Sequence, residues 1–243
     1  MIQTQHLSKS FGSIQALKDV SFIAANGQIT GLLGPNGAGK TTCLRILYGV
    51  IQPNHGNALI DGYDTQKQTR LAQQRIGALP DSQGLYPRLT ARENIRYYGR
   101  LQGLSGNHLE DQIEQLVHIL DMHDIVDRHT EGFSSGQRVK VAIARAIIHE
   151  PANILLDEPT NGLDVMSTRA MRNVIRRLKE DGKCVLFSSH IMQEVTALCD
   201  QIIIISKGEI VACGSPQEIL NETGMSNLED AFAAAIGTEE GLE

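Results

Sequence analysis

Short apolar runs alternate along this chain with longer stretches of helical period, and glycine or proline punctuates most of the joins. The first third is β-rich. Residues 2–7, 16–25 and 28–33 predict strands, and Asn26-Gly27 predicts a tight turn between the last two. Gly49, Pro53 and Gly56 break the pattern before a short strand at 57–60 runs into an Asp61-Gly62 turn. From about 89 to 150 the period becomes helical. Thr90-Ala91-Arg92-Glu93 has the form of a capping box, opening a helix that reaches about Leu101. Leu109, Ile113, Leu116, Val117 and Leu120 recur at helical spacing over 107–120, and a third helix over 137–149 stops at Pro151. Strands return at 154–156, 184–187 and 201–206, with a helix at 166–179 between the first two. Such alternation implies a parallel sheet. Lys207-Gly208-Glu209 predicts a hairpin turn into 210–213, and 216–236 predicts two short helices. No repeat, low-complexity tract or long linker divides the chain. The expectation is one α/β core over 1–243, carrying a helical insert at 89–150 and a helical tail at 216–243.

Composition narrows the class. The 243 residues allow one large α/β domain or two small ones. A net charge of -6 with no long basic run argues against a nucleic-acid partner. Cys43, Cys184, Cys199 and Cys213 lack C-x-x-C spacing, so neither a zinc site nor a disulfide framework is expected, and reduced thiols fit the cytoplasm. The first residues are strand-like, without the charged-then-apolar form of a signal segment. Apolar runs such as Ile202-Ile203-Ile204-Ile205 fall far short of the ~20 residues that cross a bilayer. Any membrane role is therefore expected to come through a partner.

The chemistry begins at Gly34-Pro35-Asn36-Gly37-Ala38-Gly39-Lys40-Thr41, a complete G-x-x-x-x-G-K-[ST] phosphate loop between a predicted strand and a helix opening with Thr41-Thr42. Three glycines and Ala38 keep side chains off the loop, so backbone N–H groups can turn inward around an anion at a helix N-terminus. Lys40 is suited to reach the β- and γ-phosphates, and the Thr41 hydroxyl to hold Mg²⁺. A chance glycine-rich turn seldom meets the full spacing in this strand–loop–helix setting. By itself the loop fits a kinase, a GTPase or a motor equally well.

Asn153-Ile154-Leu155-Leu156-Asp157-Glu158 is an apolar strand ending in two acids. In an open α/β sheet that strand end lies where ligands gather. Asp157 there can hold Mg²⁺ through water, and Glu158 can polarise a water for attack on the γ-phosphate. Two surface acids at a strand end would be the plain alternative without the phosphate loop beside them.

Phe133-Ser134-Ser135-Gly136-Gln137, preceding a helix, resembles the L-S-G-G-Q signature of the ATP-binding-cassette (ABC) ATPases. Asn161-Gly162-Leu163-Asp164 resembles the D-loop of that family, Ser188-Ser189-His190 its switch histidine, and Phe11 the aromatic that stacks on adenine. The motifs run in family order from Phe11 to His190. The resemblance implies a P-loop NTPase core with a mostly parallel sheet, an N-terminal antiparallel β subdomain and an inserted α-helical subdomain. It also implies ATP with Mg²⁺, and two cassettes pairing head-to-tail so that Ser134, Ser135, Gly136 and Gln137 of one complete the nucleotide site of the other. Independently of the name, the Ser134 hydroxyl, the backbone exposed at Gly136 and the following helix N-terminus make a second anion site. His190 would sense the γ-phosphate, although a lone histidine is more often structural.

Two departures stand out. Ser135 replaces a signature glycine and Phe133 a leucine, a change that serine tolerates at ordinary backbone angles. Asp81, in Leu79-Pro80-Asp81, occupies the usual place of the Q-loop glutamine, with Gln83 two residues on as a register alternative. A carboxylate can bind Mg²⁺ but cannot donate as an amide does. His118, His123 and His129 do not share a helical face, so a solvated surface is expected in place of a metal site. Arg169, Arg172, Arg176 and Arg177 form a basic face of the kind usually only solvated. The apolar residues between Leu85 and Tyr98 fit loop and core, but the resemblance implies that this region receives a membrane subunit's coupling helix, so exposed apolar surface there would favour docking.

The function expected from the resemblance is an ATPase subunit of a membrane ABC transporter, a peripheral protein on the cytoplasmic face held by an integral permease. It would work as a dimer of cassettes. Ser226-Asn227-Leu228-Glu229-Asp230-Ala231-Phe232 and Gly84-Leu85-Tyr86 resemble drug- and sodium-export cassettes. The alternative is a soluble ABC ATPase acting on ribosomes or DNA. Such proteins usually carry two cassettes or long coiled-coil inserts. A switch GTPase would need an N-K-x-D motif, absent here.

Overall fold

The computed structural model describes residues 1–81 and 84–237, so Gln83 lies outside the described residues. In chain order the elements are β1 (Ile2–Phe11), β2 (Ile14–Ala24), β3 (Ile29–Leu33), α1 (Lys40–Leu47), β4 (His55–Ile60), β5 (Tyr63–Asp64), α2 (Thr69–Gln73) and β6 (Ile76–Leu79). Then come α3 (Ala91–Leu101), α4 (Gly106–Ile119), α5 (Ser135–Ile147), β7 (Asn153–Asp157), α6 (Val165–Glu180) and β8 (Cys184–Ser189). The chain continues through α7 (Met192–Leu198), β9 (Gln201–Ser206), β10 (Glu209–Gly214), α8 (Pro216–Thr223) and α9 (Leu228–Ile236).

Two sheets result. The first is antiparallel, in the order β2-β1-β4-β5, and the second runs β10-β9-β3-β8-β7-β6. Within the second sheet every pairing is parallel except β9 with β10. All residues of β3, β7 and β8 are buried, as expected for strands covered on both faces. Successive residues feed opposite cores. Leu33, Leu156 and Phe187 pack beneath the helical region, while Leu32, Leu155 and Leu186 pack against α1 and the antiparallel sheet. Each such side chain contributes ~1.5–3 kcal/mol by leaving water.

The Asn26-Gly27 turn forms as expected, and it joins strands that enter different sheets. Two expectations are revised. The helix expected from Gln137 begins at Ser135, because Ser134 and Gln137 form a capping box. Strands β5 and β6 and helices α2 and α7 lie where no element was expected. The other helix and strand positions agree to within a few residues, and the Thr90–Glu93 capping box is present.

In the helical region, Gly99 of α3 lets α4 approach, since a Cβ there would meet Leu109 Cδ1 at 2.4 Å. Arg96 grips Glu110 through two bonds of 2.6 and 2.7 Å. The far end of α5 rests on the second sheet, where Gly77 of β6 would strike the Ala146 carbonyl with any Cβ. That contact joins the helical region to the strands that carry the site.

Candidate functional site

The central strand β3 delivers the phosphate loop at its carboxyl end, and α1 leaves it. Glycine is needed at three loop positions for different reasons. A Cβ on Gly34 would lie 2.2 Å from the Ile205 carbonyl, and one on Gly39 2.5 Å from the Ala16 carbonyl. Gly37 has open space around it, but its φ of +80° sits in the left-handed region. The loop is thus clamped between β9 and β2, with a bond from Gly34 N to the Ser189 carbonyl (3.4 Å) as a third tie.

Residues 36–42 of this loop line a cavity of about 770 Å³. Lys40 is 6 % exposed. Its Nζ donates to the carbonyls of Gly34 (2.7 Å) and Pro35 (3.2 Å) and lies 3.5 Å from Glu158 Oε1. Those partners offset the cost of burying its charge.

Strand β7 brings Asp157 and Glu158 to the same edge. Asp157 Oδ1 accepts from Ser188 Oγ (2.6 Å) and from Thr41 Oγ1 (3.3 Å). Burial pushes the Asp157 carboxyl above its ordinary value, the two hydroxyls oppose that, and the charges of Glu158 and Asp81 reinforce it. Glu158 adopts a left-handed φ of +50°, a strain of ~1 kcal/mol or more for a side-chain-bearing residue. Its N–H donates to Ser188 Oγ at 3.0 Å, which holds the corner. His190, just beyond β8, lies with Nδ1 2.9 Å from Glu158 Oε2. Lys40, Glu158, Asp81 and His190 therefore meet on one cavity.

The oxygen-only set of Thr41 and Asp157 fits a hard divalent cation that keeps most of its water. Among the described residues no group of three or more His, Cys, Asp or Glu could hold a metal unaided. The rings of His118 and His123 meet edge-on at 6.0 Å, and His129 bonds the Arg88 carbonyl at 2.8 Å.

Other expected site residues stand apart. Phe11 ends β1, half exposed, with Lys9 Nζ 5.1 Å from its ring. The cavity wall on that side consists of Ile14, Gln15 and Ala16 of β2, and Phe11 is not part of it. Ser134 through Gln137 also lie off this cavity. Ser134 Oγ accepts from Gln137 N (3.3 Å) while Gln137 Oε1 accepts from Ser134 N (3.1 Å). Ser135 occupies the first helical position of α5 without a positive φ. Gly136 is half-buried and a point of close packing. A Cβ there would meet Ser167 Oγ of α6 at 2.3 Å. Asp164 caps α6, its Oδ1 accepting from Ser167 N at 2.8 Å.

Sequence reasoning overlooked Ser188 as the joint between Asp157 and Glu158, although it had singled out the Ser188-Ser189-His190 run. It also overlooked Lys18 and Lys207, which line the cavity without any motif to flag them.

A phosphate loop at the carboxyl end of a central parallel strand, faced by carboxylates from the end of β7 two strands away, defines a P-loop nucleoside triphosphatase. The comparisons narrow the class. Residues 17–161 match the family model described as "ABC transporter". The chain is 45 % identical over 92 % of its length to the ABC transporter ATP-binding protein NatA of Bacillus subtilis, 91 % of which is covered. It is 34 % identical over 97 % of its length to the linearmycin resistance ATP-binding protein LnrL of the same organism, covering 78 % of that protein. Among solved structures, the ATP-binding subunit of an ABC transporter superimposes with TM-score 0.89 at 27 % identity, covering 97 % of this chain and 99 % of that one. A dimeric ATP-binding cassette in a post-hydrolysis state, bound to ADP and Pi, gives TM-score 0.80 at 27 % identity over 88 % of this chain and 98 % of that one. The chain belongs to the ABC transporter family, and within it is an ATP-binding cassette with ATPase activity.

Proposed function

We propose that this cassette powers a membrane exporter by closing on a second cassette around ATP and reopening after hydrolysis. The observation that carries the mechanism is Glu158, strained at the strand end and set between Lys40 (3.5 Å) and His190 (2.9 Å). Water attacks the γ-phosphorus, Glu158 takes the proton, and the bond to the bridging oxygen of ADP breaks. Lys40 exchanges its carbonyl partners for phosphate oxygens, and His190 orients the Glu158 carboxylate. Thr41, Asp157 and Asp81 are the residues that would hold Mg²⁺, whose charge would stabilise the transferring phosphoryl group. Gly34 to Thr42 cradle the phosphates, and Phe11, outside the cavity wall, is assigned to the adenine it would have to turn toward.

Ser134 to Gln137 are assigned to the partner cassette's nucleotide, which accounts for a signature segment set off the chain's own cavity. A pair of identical cassettes is the simplest arrangement. No helix among the described residues is long and apolar enough to cross a membrane. An integral permease subunit therefore anchors the dimer at the cytoplasmic face. Half-exposed Tyr86 and Tyr97, packed edge-to-face at 5.4 Å, offer it an amphipathic docking surface. Export of the drug or sodium type rests on the 226–232 tail and on similarity to a linearmycin-resistance protein and to Nod factor export ATP-binding protein I of Bradyrhizobium diazoefficiens.

Glu158→Gln is the test. The variant should lose ATP turnover by ~10²-fold or more and accumulate as an ATP-bound dimer on size exclusion. Turnover at the parental rate would overturn the role of Glu158, and a monomer at saturating ATP would overturn the clamp.

A further inference from the structure

We infer that Lys207 is a nucleotide-contacting cation, binding the part of the ligand common to ATP and ADP. It sits at the tip of the two-residue turn between β9 and β10, where Ser206 pairs with Glu209. Both turn residues have positive φ, +49° at Lys207 and +84° at Gly208. Turns of this kind favour asparagine or glycine at the first position, and a lysine there costs free energy. A strained residue aimed at a cavity points to use of its side chain.

The turn is also bolted to the phosphate loop. Gly208 N donates to the Ala38 carbonyl (3.1 Å), and Lys18 N donates to the Gly208 carbonyl (2.7 Å). A Cβ on Gly208 would lie 2.9 Å from the Ala16 carbonyl, so the backbone there is pressed against β2. Lys207 therefore leaves a fixed platform, and it lines the cavity together with Asn36, Gly37 and Ala38. Lys18 lines the same wall but is paired with Glu209 at 3.0 Å. Lys207 makes no ion pair among the described residues, which leaves its charge for a ligand.

The direction of the platform selects the ligand's part. The turn packs against β2 and bonds Ala38, whereas Glu158 and His190 arrive from β7 and β8 at the hydrolytic end. Lys207 thus belongs with the α- and β-phosphates and the ribose, so its loss weakens ADP and ATP alike. This inference rests on the ATP-cassette assignment of the cavity.

The experiment measures the Kd of a fluorescent mant-ADP and of mant-ATP for the full chain, for Lys207→Gly and for Lys207→Arg, alongside thermal melts without nucleotide. Lys207→Gly should weaken both nucleotides by about threefold to tenfold, the upper figure being ~1.4 kcal/mol. It should also melt at or above the parental temperature, because glycine relieves the turn. Lys207→Arg should keep near-parental affinity and steeper salt dependence than the glycine variant. A parental Kd in Lys207→Gly would overturn the inference, as would a loss confined to mant-ATP. A Lys207→Gly variant with a lowered melting temperature would mark a structural role and overturn it as well. Failure of the parental chain to bind either nucleotide would instead overturn the assignment of the cavity.

Discussion

Gly136→Ala is the sharpest perturbation available away from the chain's own nucleotide cavity. The added Cβ would lie 2.3 Å from Ser167 Oγ and 3.0 Å from Ser167 Cβ, where carbon contacts prefer ~3.5–4.0 Å. Ser167 can swing its hydroxyl away, but it then gives up the 3.1 Å bond to Asp164 Oδ2, a loss of ~1 kcal/mol. The Cβ contact remains, and relieving it means parting the N-termini of α5 and α6, an overpacking cost of ~1–2 kcal/mol. Alanine's better helix propensity returns up to ~1 kcal/mol. The net expectation is destabilisation by ~1–2 kcal/mol, read as a lower urea midpoint at unchanged slope. Ser167→Gly removes both obstructing atoms, so the double variant should show a coupling of ~1 kcal/mol or more. A Gly136→Ala protein as stable as its parent would refute the close-approach argument, and so would a cost that persists undiminished in the Ser167→Gly background. ATP turnover separates the two duties of this glycine. Recovery of turnover together with stability makes packing the whole reason for it. Recovered stability with turnover still low assigns the bare backbone to nucleotide recognition.

Arg172 holds Glu194 through bonds of 3.0 and 2.6 Å, and Glu194 is only 4 % exposed. Arg172→Met should cost ~2 kcal/mol in thermal or urea unfolding, short of the ~3–5 for a fully buried pair because the guanidinium is partly in water. The Arg172→Met/Glu194→Gln double variant should recover most of it, and a single-variant shift below ~0.5 kcal/mol would sink the argument. Cysteine reactivity supplies a pH test. Burial pushes the Cys43 thiol up to about 12 and the Cys184 thiol up to about 11, and Cys199 is raised by burial as well. Only Cys213 is exposed, with its thiol raised by partial burial and by Glu218 and Glu222. Iodoacetamide on the folded protein should label Cys213 alone, at a rate that climbs with pH as thiolate forms. Mass-spectrometric detection of a tag on Cys43 or Cys184 below pH 9 would contradict this.

Local signals were legible in the sequence to the extent that their causes are local. The Thr90-to-Glu93 capping box and the heptad-like apolar spacing in α4 act within a turn or two of helix, and both elements lie where they were expected. Strand β6 is four residues long with a glycine inside it, and its neighbours β7 and α5 are distant in sequence. Nothing local could announce it. Asn26-Gly27 shows the limit from the other side, since a turn sequence reverses the chain but does not choose the strand's partner. Ser134-to-Gln137 has the same S/T-x-x-E/Q form as the capping box at Thr90, so the start of α5 at Ser135 is a local signal, one that overlaps the signature residues.

The phosphate loop carries this distinction furthest. Its motif is local, yet the reasons for two of its glycines are not. Gly34 yields to the Ile205 carbonyl on β9 and Gly39 to the Ala16 carbonyl on β2, two strands that belong to different sheets. Gly37 is set by its φ with no neighbour in the way, whereas Gly39 combines a φ of +110° with that close approach. The loop's shape is therefore imposed by the junction of the two sheets, and the β9–β10 turn reaches the loop through that same junction. Lys18 and Lys207 come to the phosphate-loop cavity by that route, which is why no spacing rule could have found them. The motif marks the residues suited to phosphate, whereas the strands that hold the loop open, and the cations they bring with them, become visible only where the two sheets meet.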